Sequence, residues 1–549
     1  MSGASWDVDF LIVGSGFGGS VSALRLAEKG YSVRVLERGI RYLPSDFPKT
    51  NWNIRKSLWA PFAKCFGILR ISFFSDVMVF SGAGVGGGSL VYANTLYVPP
   101  DAFFESPQWS AIKDWKAALA PHYQTAQRML GVTQNRFEGE PDVLLKAIAR
   151  SMNREDTYVR TPVAVYFGGE GTAPSDPYFG GLGPERSPCV YCGSCMVGCR
   201  HNAKNTLDKN YLFFAEKLGA IVEPKRTVTD VRALPGGGFE VTHEESGAWF
   251  LKRKRIVRAR NVVLSAGVLG TVKLLLECKA RGSLPNISSR LGASVRTNSE
   301  AILGVSTTKK TAHYDRGIAI TSSFHPDDHT HVEVVRYGEG SDALYPLSTL
   351  LTDGGPGLPR PLRYIKNVIR KPLQFLRTIL PFGRSKRTIL LLVMQTLDNS
   401  IELKLRRRWW RLFRKTLDTD RGTGSPNPTY IPIANEVARR AASELDGGVA
   451  YSSLLEVLFD VPATAHVLGG AAIGASPEKG VINDKNEVFG QPGLYVCDGS
   501  MIPANLGVNP SLTITALTEH AMTFIPVKEG AQYTPALPHW GARATTQKD

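Results

Sequence analysis

Four cysteines lie close enough in the sequence to share one metal centre. They are Cys189, Cys192, Cys195 and Cys199, with the spacing C-x2-C-x2-C-x3-C. One loop with this spacing wraps an iron–sulfur cluster in bacterial ferredoxins, so the motif predicts a [3Fe–4S] centre on three cysteines or a [4Fe–4S] centre on four. Zinc ranks lower because it usually recruits two separated pairs. A turn packed with small apolar thiols is the structural alternative.

A glycine fingerprint near the start of the chain predicts a dinucleotide site. Gly14-x-Gly16-x-x-Gly19 follows the apolar run 10–13 and precedes a helical pattern, and a second apolar run ends at Glu37. In such a βαβ unit the first glycine makes a tight turn, the second admits a pyrophosphate and the third allows close helix–strand packing. The acid at position 37 is placed to hold a ribose hydroxyl.

A second glycine-rich loop follows at residues 81–94. Five glycines fall within residues 82–88, so the backbone there has almost no side-chain cover. We interpret it as a loop whose N–H groups touch the same cofactor. A flexible turn is the alternative, but the flanking apolar and aromatic residues disfavour it.

Charge and composition limit the class of protein. The 549-residue chain has a net charge of +16, and the stretch from Arg360 to Lys415 carries 16 Lys/Arg against two acids. Because the excess of positive charge is confined to one stretch, it favours contact of one face of the protein with an anionic surface and argues against a nucleic-acid binder. The sequence shows neither a signal peptide nor an apolar run of membrane-spanning length. With clustered cysteines, these features predict a cytoplasmic protein.

The basic stretch also has helical periodicity. In residues 361–380 leucines, isoleucines and a valine recur at three- and four-residue steps between basic residues, and Pro372 should break or kink the helix. Trp409, Trp410 and Phe413 follow among further basic residues. This pattern is typical of helices lying on anionic membranes, and it predicts a peripheral position on the inner face of the membrane. An amphipathic helix packed on the protein's own core is the alternative.

The C-terminal part carries motifs that identify a family. They occupy residues 466–474, 481–484, 488–490, 494–503 and 507–517. Together with the two glycine loops, they resemble the glucose–methanol–choline (GMC) family of flavin oxidoreductases, and within it the bacterial cholesterol oxidase-like members. The glycine loop departs from those members, because residues 92–94 read Tyr-Ala-Asn where they have Asn-Gly-Gly.

The resemblance implies a fold that joins an α/β and an α+β part, a Rossmann-type FAD-binding domain with a discontinuous antiparallel-sheet substrate domain. The first would comprise residues 1–100, 189–300 and 462–530. The second would comprise residues 101–188 and 301–461, with the basic amphipathic insertion at 355–415.

The resemblance also implies the roles of single residues. FAD would be held by Gly14, Gly16, Phe17, Gly18, Gly19, Glu37, Gly87, Gly88, Ser89, Asn94, Val228, Ala266, Asp498, Gly499 and Ser511. His466 would act on the substrate hydroxyl with Asn509 at the substrate oxygen, since a histidine titrates near neutral pH. Glu333 falls where sterol oxidases place a further carboxylate, although an ordinary strand carboxylate fits the short match equally well.

These features together predict an FAD-dependent oxidoreductase that removes a hydride from a lipophilic, sterol-like alcohol. An iron–sulfur cluster would pass the electrons one at a time to a quinone or cytochrome, whereas an enzyme without such a cluster would use O2. A dehydrogenase for a smaller alcohol, polyol or sugar is the alternative within enzymes. A flavin electron-transfer module without alcohol turnover is the alternative from another class, and the pairing of His466 with Asn509 argues against it.

Overall fold

A computed structural model describes residues 6–169, 175–248, 252–407, 415–422 and 425–537. Its strands are Val8–Val13 (β1), Val33–Leu36 (β2), Trp59–Ala60 (β3), Cys65–Phe66 (β4), Leu69–Phe73 (β5), Met78–Gly82 (β6), Thr133–Gln134 (β7), Val159–Arg160 (β8), Pro162–Val163 (β9), Ile221–Glu223 (β10), Arg226–Ala233 (β11), Phe239–Glu245 (β12), Arg255–Leu264 (β13), Ala301–Ser306 (β14), Ile320–Phe324 (β15), Thr330–Val335 (β16), Ser348–Leu350 (β17), Thr388–Gln395 (β18), Ile401–Arg407 (β19), Lys415–Arg421 (β20), Val449–Ser453 (β21), Ala463–Thr464 (β22) and Leu494–Val496 (β23).

The α-helices are Phe17–Glu28 (α1), Ile54–Ser57 (α2), Asp101–Phe104 (α3), Trp115–Leu130 (α4), Glu140–Ser151 (α5), Tyr211–Lys217 (α6), Val268–Arg281 (α7), Arg360–Arg370 (α8), Pro372–Ile379 (α9), Arg384–Arg387 (α10), Pro432–Ser443 (α11), Leu454–Phe459 (α12) and Ser511–Thr523 (α13). Within the described ranges, no helix has the length and apolar content needed to cross a membrane.

The first large sheet is built around β1. Its order is β10-β2-β1-β13-β12-β11, with β23 also paired to β13. The strands β10, β2, β1, β13 and β23 run parallel, and β12 and β11 are antiparallel. Every residue of β1 is buried, as expected for a strand covered on both faces. Helix α1 lies beside it, α6 and α13 pack on α1, and α4 packs on α13.

The second large sheet is antiparallel throughout, in the order β17-β21-β14-β18-β16-β15-β8. Because side chains alternate along a strand, its two faces differ in what they contact. One face packs on α5 and α11 through Leu303, Val332 and Leu391. The other presents Leu392 and Val335 to the cavity described below. The predicted combination of a Rossmann-type part and an antiparallel-sheet part is therefore confirmed.

The basic insertion is helical only in its first half. Helices α8 and α9 are separated at Pro372, as the sequence predicts. Beyond them the basic stretch contributes the one-turn helix α10, then β18 and the paired strands β19 and β20. Trp409, Trp410 and Phe413 lie outside the described residues.

Candidate active site

The two glycine-rich loops meet at the wall of one large cavity of about 1350 Å3. A Cβ on Gly87 would lie 2.6 Å from the Cα of Gly16, so the loops touch where neither has a side chain. A Cβ on Gly16 would have no atom closer than 4.0 Å, so this position faces open space. Helix α1 starts next to it without a side-chain cap, which leaves first-turn N–H groups suited to bind phosphate.

Gly14 and Gly19 of the fingerprint, and Gly18 between them, serve close packing of the backbone. A Cβ on Gly14 would lie 2.3 Å from the Ser265 carbonyl oxygen, and one on Gly18 would lie 1.7 Å from the Cys497 carbonyl oxygen. A Cβ on Gly19 would lie 2.0 Å from the Gly14 carbonyl oxygen. Gly14 also has a φ of +97°, which favours glycine. The packing that the sequence assigned to Gly19 is therefore present.

Glu37 holds the glycine loops in place from the end of β2. Its Oε2 accepts hydrogen bonds from the Ser15 backbone N–H at 3.0 Å and the Ser15 hydroxyl at 2.8 Å. Its Oε1 accepts from the Gly39 N–H at 2.8 Å. The Ser15 hydroxyl in turn accepts from the Gly86 N–H at 3.1 Å, which links the two loops. Ser15 was missed by the sequence analysis, although it lies inside the fingerprint.

Most of the residues predicted to bind the cofactor border this one cavity. They are Gly14, Gly16, Phe17, Gly18, Glu37, Gly87, Gly88, Val228, Ala266, Asp498, Gly499 and Ser511. Asp498 accepts hydrogen bonds from the Thr271 hydroxyl and the Ser500 N–H. Thr271, which the sequence did not single out, thus joins the start of α7 to the C-terminal segment.

Three of the predicted cofactor residues lie behind the cavity wall. Gly19 packs under Gly14. The buried Ser89 hydroxyl donates to the Gly86 carbonyl at 2.7 Å and accepts from the Leu207 N–H at 3.1 Å, so it braces the loop. Asn94 is fully buried and faces Cys195. Consecutive residues of a turn point in different directions, so a motif match alone could not tell which of them reach the cavity.

His466 lies at the cavity with a buried carboxylate behind it. Its Nδ1 forms a hydrogen-bonded ion pair with Glu300, whose other oxygen accepts from the Ala465 N–H at 2.7 Å. Burial lowers the histidine pKa, but the Glu300 charge outweighs it and raises the pKa of His466 above its ordinary value. The bond to Nδ1 leaves Nε2 for the cavity. No motif marks Glu300, so only the tertiary structure could find it.

Asn509 borders the same part of the cavity and has Glu333 behind it. Its Nδ2 donates to Glu333 Oε2 at 3.3 Å. Burial raises the pKa of Glu333 to about 8. The charges of His466 and Glu300 also act on this carboxyl group, so the four side chains form one cluster. Glu333 is fully buried and does not border the cavity, which places it one layer behind the position that the sequence suggested.

The four cysteines line a small separate cavity of about 20 Å3, room for about one water molecule. Within the described residues, no group of three or more His, Cys, Asp or Glu side chains is arranged to hold a metal ion. The geometry therefore does not support the predicted cluster. Burial is the main cause of the raised pKa of Cys189 and of Cys195.

Lys204 connects this cysteine loop to the second glycine loop. Its buried ammonium donates to the carbonyls of Leu90 at 3.0 Å, Tyr92 at 2.8 Å and Cys195 at 2.9 Å. Burial lowers the pKa of Lys204 to about 7, and the charges of Cys195, Cys199 and Asp208 offset part of this shift. Tyr92, where the chain departs from the family pattern, borders the main cavity and lies under the Lys204 ammonium at 4.7 Å.

Comparison with known proteins identifies the family. Residues 383–518 match the family model described as GMC oxidoreductase, and residues 12–42 match an NAD(P)-binding Rossmann-like domain. The chain is 51% identical over 538 residues to a cholesterol oxidase of Mycobacterium tuberculosis, covering 95% of this chain and 92% of that protein. The chain belongs to the GMC oxidoreductase family. A cholesterol oxidase of Acinetobacter baumannii is 48% identical, with 95% of each chain covered.

A solved structure agrees with this fold. Pyridoxine 4-oxidase from Mesorbium loti superposes with a TM-score of 0.62 at 14% identity, covering 94% of this chain and 99% of that one. The family match and the two cholesterol oxidases described above show that the protein is a GMC-type FAD-dependent alcohol oxidoreductase. FAD fits the large cavity, because the open face of Gly16 and the uncapped start of α1 leave room and N–H donors for a pyrophosphate.

Proposed function

We propose that this enzyme oxidises the hydroxyl group of a lipophilic, sterol-like alcohol. The observation that carries the proposal is the apolar wall of the cavity beside His466 and Asn509. Ile302, Ile320, Val335, Leu390 and Leu392 line this wall, all from the second sheet. Aliphatic side chains gain free energy by covering an apolar ring system, whereas a polyol would lose its hydrogen bonds to water there. The two cholesterol oxidases named above support the same substrate class.

The proposed chemistry uses the four side chains grouped at the cavity wall, which are His466, Glu300, Asn509 and Glu333. FAD would supply the acceptor for the hydride that leaves the carbon carrying the hydroxyl group. Nε2 of His466 accepts the hydroxyl proton, and the Glu300 carboxylate stabilises the imidazolium that forms. Asn509 has a hydrogen-bond donor left for the substrate oxygen, since its Nδ2 carries two N–H groups and donates one of them to Glu333. Glu333 holds the Asn509 amide in position.

The test is anaerobic mixing of the FAD-loaded enzyme with cholesterol, a long-chain primary alcohol or glycerol. Bleaching of the flavin absorbance by cholesterol is the expected result. Bleaching by glycerol alone would replace the proposal with the smaller-alcohol dehydrogenase. A His466→Ala variant should be bleached at least about 100-fold more slowly. Normal bleaching of that variant would exclude His466 as the base, and an enzyme bleached by none of the three alcohols would favour an electron-transfer module instead.

We further propose O2 as the electron acceptor. The space between the cysteines is small, and no group of side chains in the described ranges is arranged to hold a metal ion. Both observations favour O2 over electron transfer through an iron–sulfur cluster. Assays of iron and acid-labile sulfide on anaerobically purified protein test this directly. About three or four irons per chain would restore the cluster predicted from the spacing, with a quinone or cytochrome as acceptor. Protein without iron that forms peroxide supports O2.

We also propose that helices α8 and α9 contact an anionic membrane surface. Their outward side chains are apolar and exposed: Leu362, Ile365, Ile369, Leu373, Leu376 and Leu380. Lys366, Arg370 and Arg377 lie among them, which suits acidic lipid headgroups. Helix α9 packs on β17 and on the turn 345–347, whose residues Tyr345, Leu347 and Ser348 border the cavity. Membrane contact there would bring the cavity close to lipid-dissolved substrate.

A further inference from the structure

Two half-buried arginines border the main cavity, and neither has a role in the chemistry proposed above. Arg38 follows Glu37 just after β2, and Arg70 lies on β5. Neither guanidinium forms an ion pair or a hydrogen bond with the residues that the structure describes. Arg226, another arginine at this cavity, does have a partner, because its Nε lies 3.2 Å from a Glu223 oxygen. The N–H donors of the two arginines are therefore left for a group that enters the cavity.

The positive charges of the two arginines act on each other. Burial and the charge of Arg38 lower the pKa of Arg70 to about 9. Burial also lowers the pKa of Arg38, and the Glu37 charge offsets part of that shift. The Glu37 carboxylate already accepts three hydrogen bonds from Ser15 and Gly39, so it is a poor counter-ion for two guanidinium groups. Two like charges held together in a half-buried place cost free energy, which an anion beside them would offset.

Both arginines lie against the second glycine loop. Arg70 is on β5, whose partner strand β6 runs directly into that loop. On the side of Arg38, a Cβ on the next residue, Gly39, would lie 2.1 Å from the backbone nitrogen of Gly84. The same loop touches the fingerprint at Gly16, whose open face and neighbouring N–H groups suit a pyrophosphate. The unpaired positive charge thus lies beside the place that the glycines leave for phosphate.

We propose that Arg38 and Arg70 bind the phosphate groups of FAD, together with the N–H groups at the start of α1. A guanidinium has a planar fork of N–H donors that matches two phosphate oxygens, and the opposite charges strengthen these hydrogen bonds. The pyrophosphate is a dianion, so it neutralises both arginines and relieves their repulsion. The two residues retain the cofactor and take no part in the removal of the hydride. Their role is the same whichever alcohol is the substrate.

The test measures cofactor retention instead of turnover. FAD release from the loaded enzyme on dilution, followed by flavin fluorescence, should be about 10-fold faster in Arg38→Met and in Arg70→Met than in the wild type. The affinity of the apoprotein for ADP, measured by calorimetry, should fall by a similar factor. High salt should speed FAD release from the wild type more than from either variant, because salt screens the lost attraction. Arg38→Lys and Arg70→Lys keep the charge and should retain more FAD than the Met variants.

Arg41→Met is the matched control, because Arg41 pairs with Glu216 and does not border the cavity. Its FAD release should equal that of the wild type. The proposal is wrong if the Met variants hold FAD and ADP as tightly as the wild type.

Two other results would assign the arginines a different ligand. If Lys retains FAD no better than Met and salt has no effect, the planar groups stack on the adenine and do not bind phosphate. If inorganic phosphate raises the Tm of the FAD-loaded wild type but not that of Arg70→Met, the arginines bind a second anion and not the cofactor. Should the Met variants fail to fold, the Lys variants and the salt dependence of the wild type decide the question.

Discussion

The Glu300 carboxylate and the His466 imidazole form a buried ion pair at the cavity wall. The pair fixes which ring nitrogen faces the substrate, because Nδ1 is occupied. It also raises the pKa of His466, so the charged ring persists to higher pH than in a free histidine. If neutral His466 is the proton acceptor, activity is lost as the pH falls through this raised pKa.

Glu300→Gln should therefore move the acid limb of the kcat/KM profile to lower pH. The amide keeps the shape of the side chain but no longer stabilises the imidazolium, so the pKa of His466 falls. We expect kcat to drop on the order of 100-fold, since an oriented base loses its charged partner. The pH profile with cholesterol is the measurement. Glu478→Gln removes an exposed carboxylate and should leave the profile unchanged. If the acid limb of the kcat/KM profile does not shift in Glu300→Gln, His466 is not the group whose titration sets that limb.

Two glycine variants should separate cofactor binding from folding. Gly16→Ala places its Cβ in open space on the cavity side, so the apoprotein should keep its Tm. FAD affinity should fall by at least about tenfold, or 1.4 kcal/mol. Gly19→Ala should lower the Tm of the apoprotein, because its Cβ would lie 2.0 Å from a backbone oxygen. Titration of apoprotein with FAD, followed by flavin fluorescence, is the measurement. Unchanged FAD affinity in Gly16→Ala would contradict this placement of the pyrophosphate.

Lys204→Met should weaken both the fold and the retention of FAD. Three buried carbonyls lose their donor, and each unsatisfied group costs about 1–3 kcal/mol. Two of them belong to the second glycine loop, at Leu90 and Tyr92. Thermal unfolding and FAD release on dilution are the measurements. Lys217→Met is the control, because this exposed lysine bonds a single carbonyl and its loss should change stability by less than about 0.5 kcal/mol. Equal effects of the two variants would refute the bridging role.

The double variant Ile369→Ser/Leu373→Ser should reduce membrane binding. These side chains are 74% and 72% exposed on α8 and α9, so their removal should leave the fold intact. Co-sedimentation with vesicles containing about one-third phosphatidylserine is the measurement, and high salt should also weaken binding. Val143→Ser/Leu182→Ser changes two exposed apolar residues on other parts of the chain. If this control loses binding equally, α8 and α9 are not the contact.

The sequence predicts those parts of the structure that depend on local spacing. The glycine fingerprint, the break at Pro372 and the amphipathic period of α8 and α9 all follow from near neighbours in the chain. Glu300 could not be predicted, because its role depends on a contact with a residue 166 positions away. Lys204 could not be predicted for the same reason, because it bonds carbonyls of residues that lie far from it in the sequence. Ser89 and Asn94 were assigned to the cofactor by motif, but their side chains point into the protein behind the loop.

The position of β23 and α13 in the fold has a consequence for synthesis of the protein. Strand β23 completes the parallel part of the first sheet beside β13, and α13 packs on α1. His466 and Asn509 come from the same late part of the chain. In a nascent chain that has been synthesised only as far as β21, the edge of β13 that pairs with β23 is therefore exposed. The surface of α1 that packs on α13 is exposed as well. Until the last segment leaves the ribosome, the exposed strand edge and helix surface are open to aggregation, and the active site still lacks His466 and Asn509.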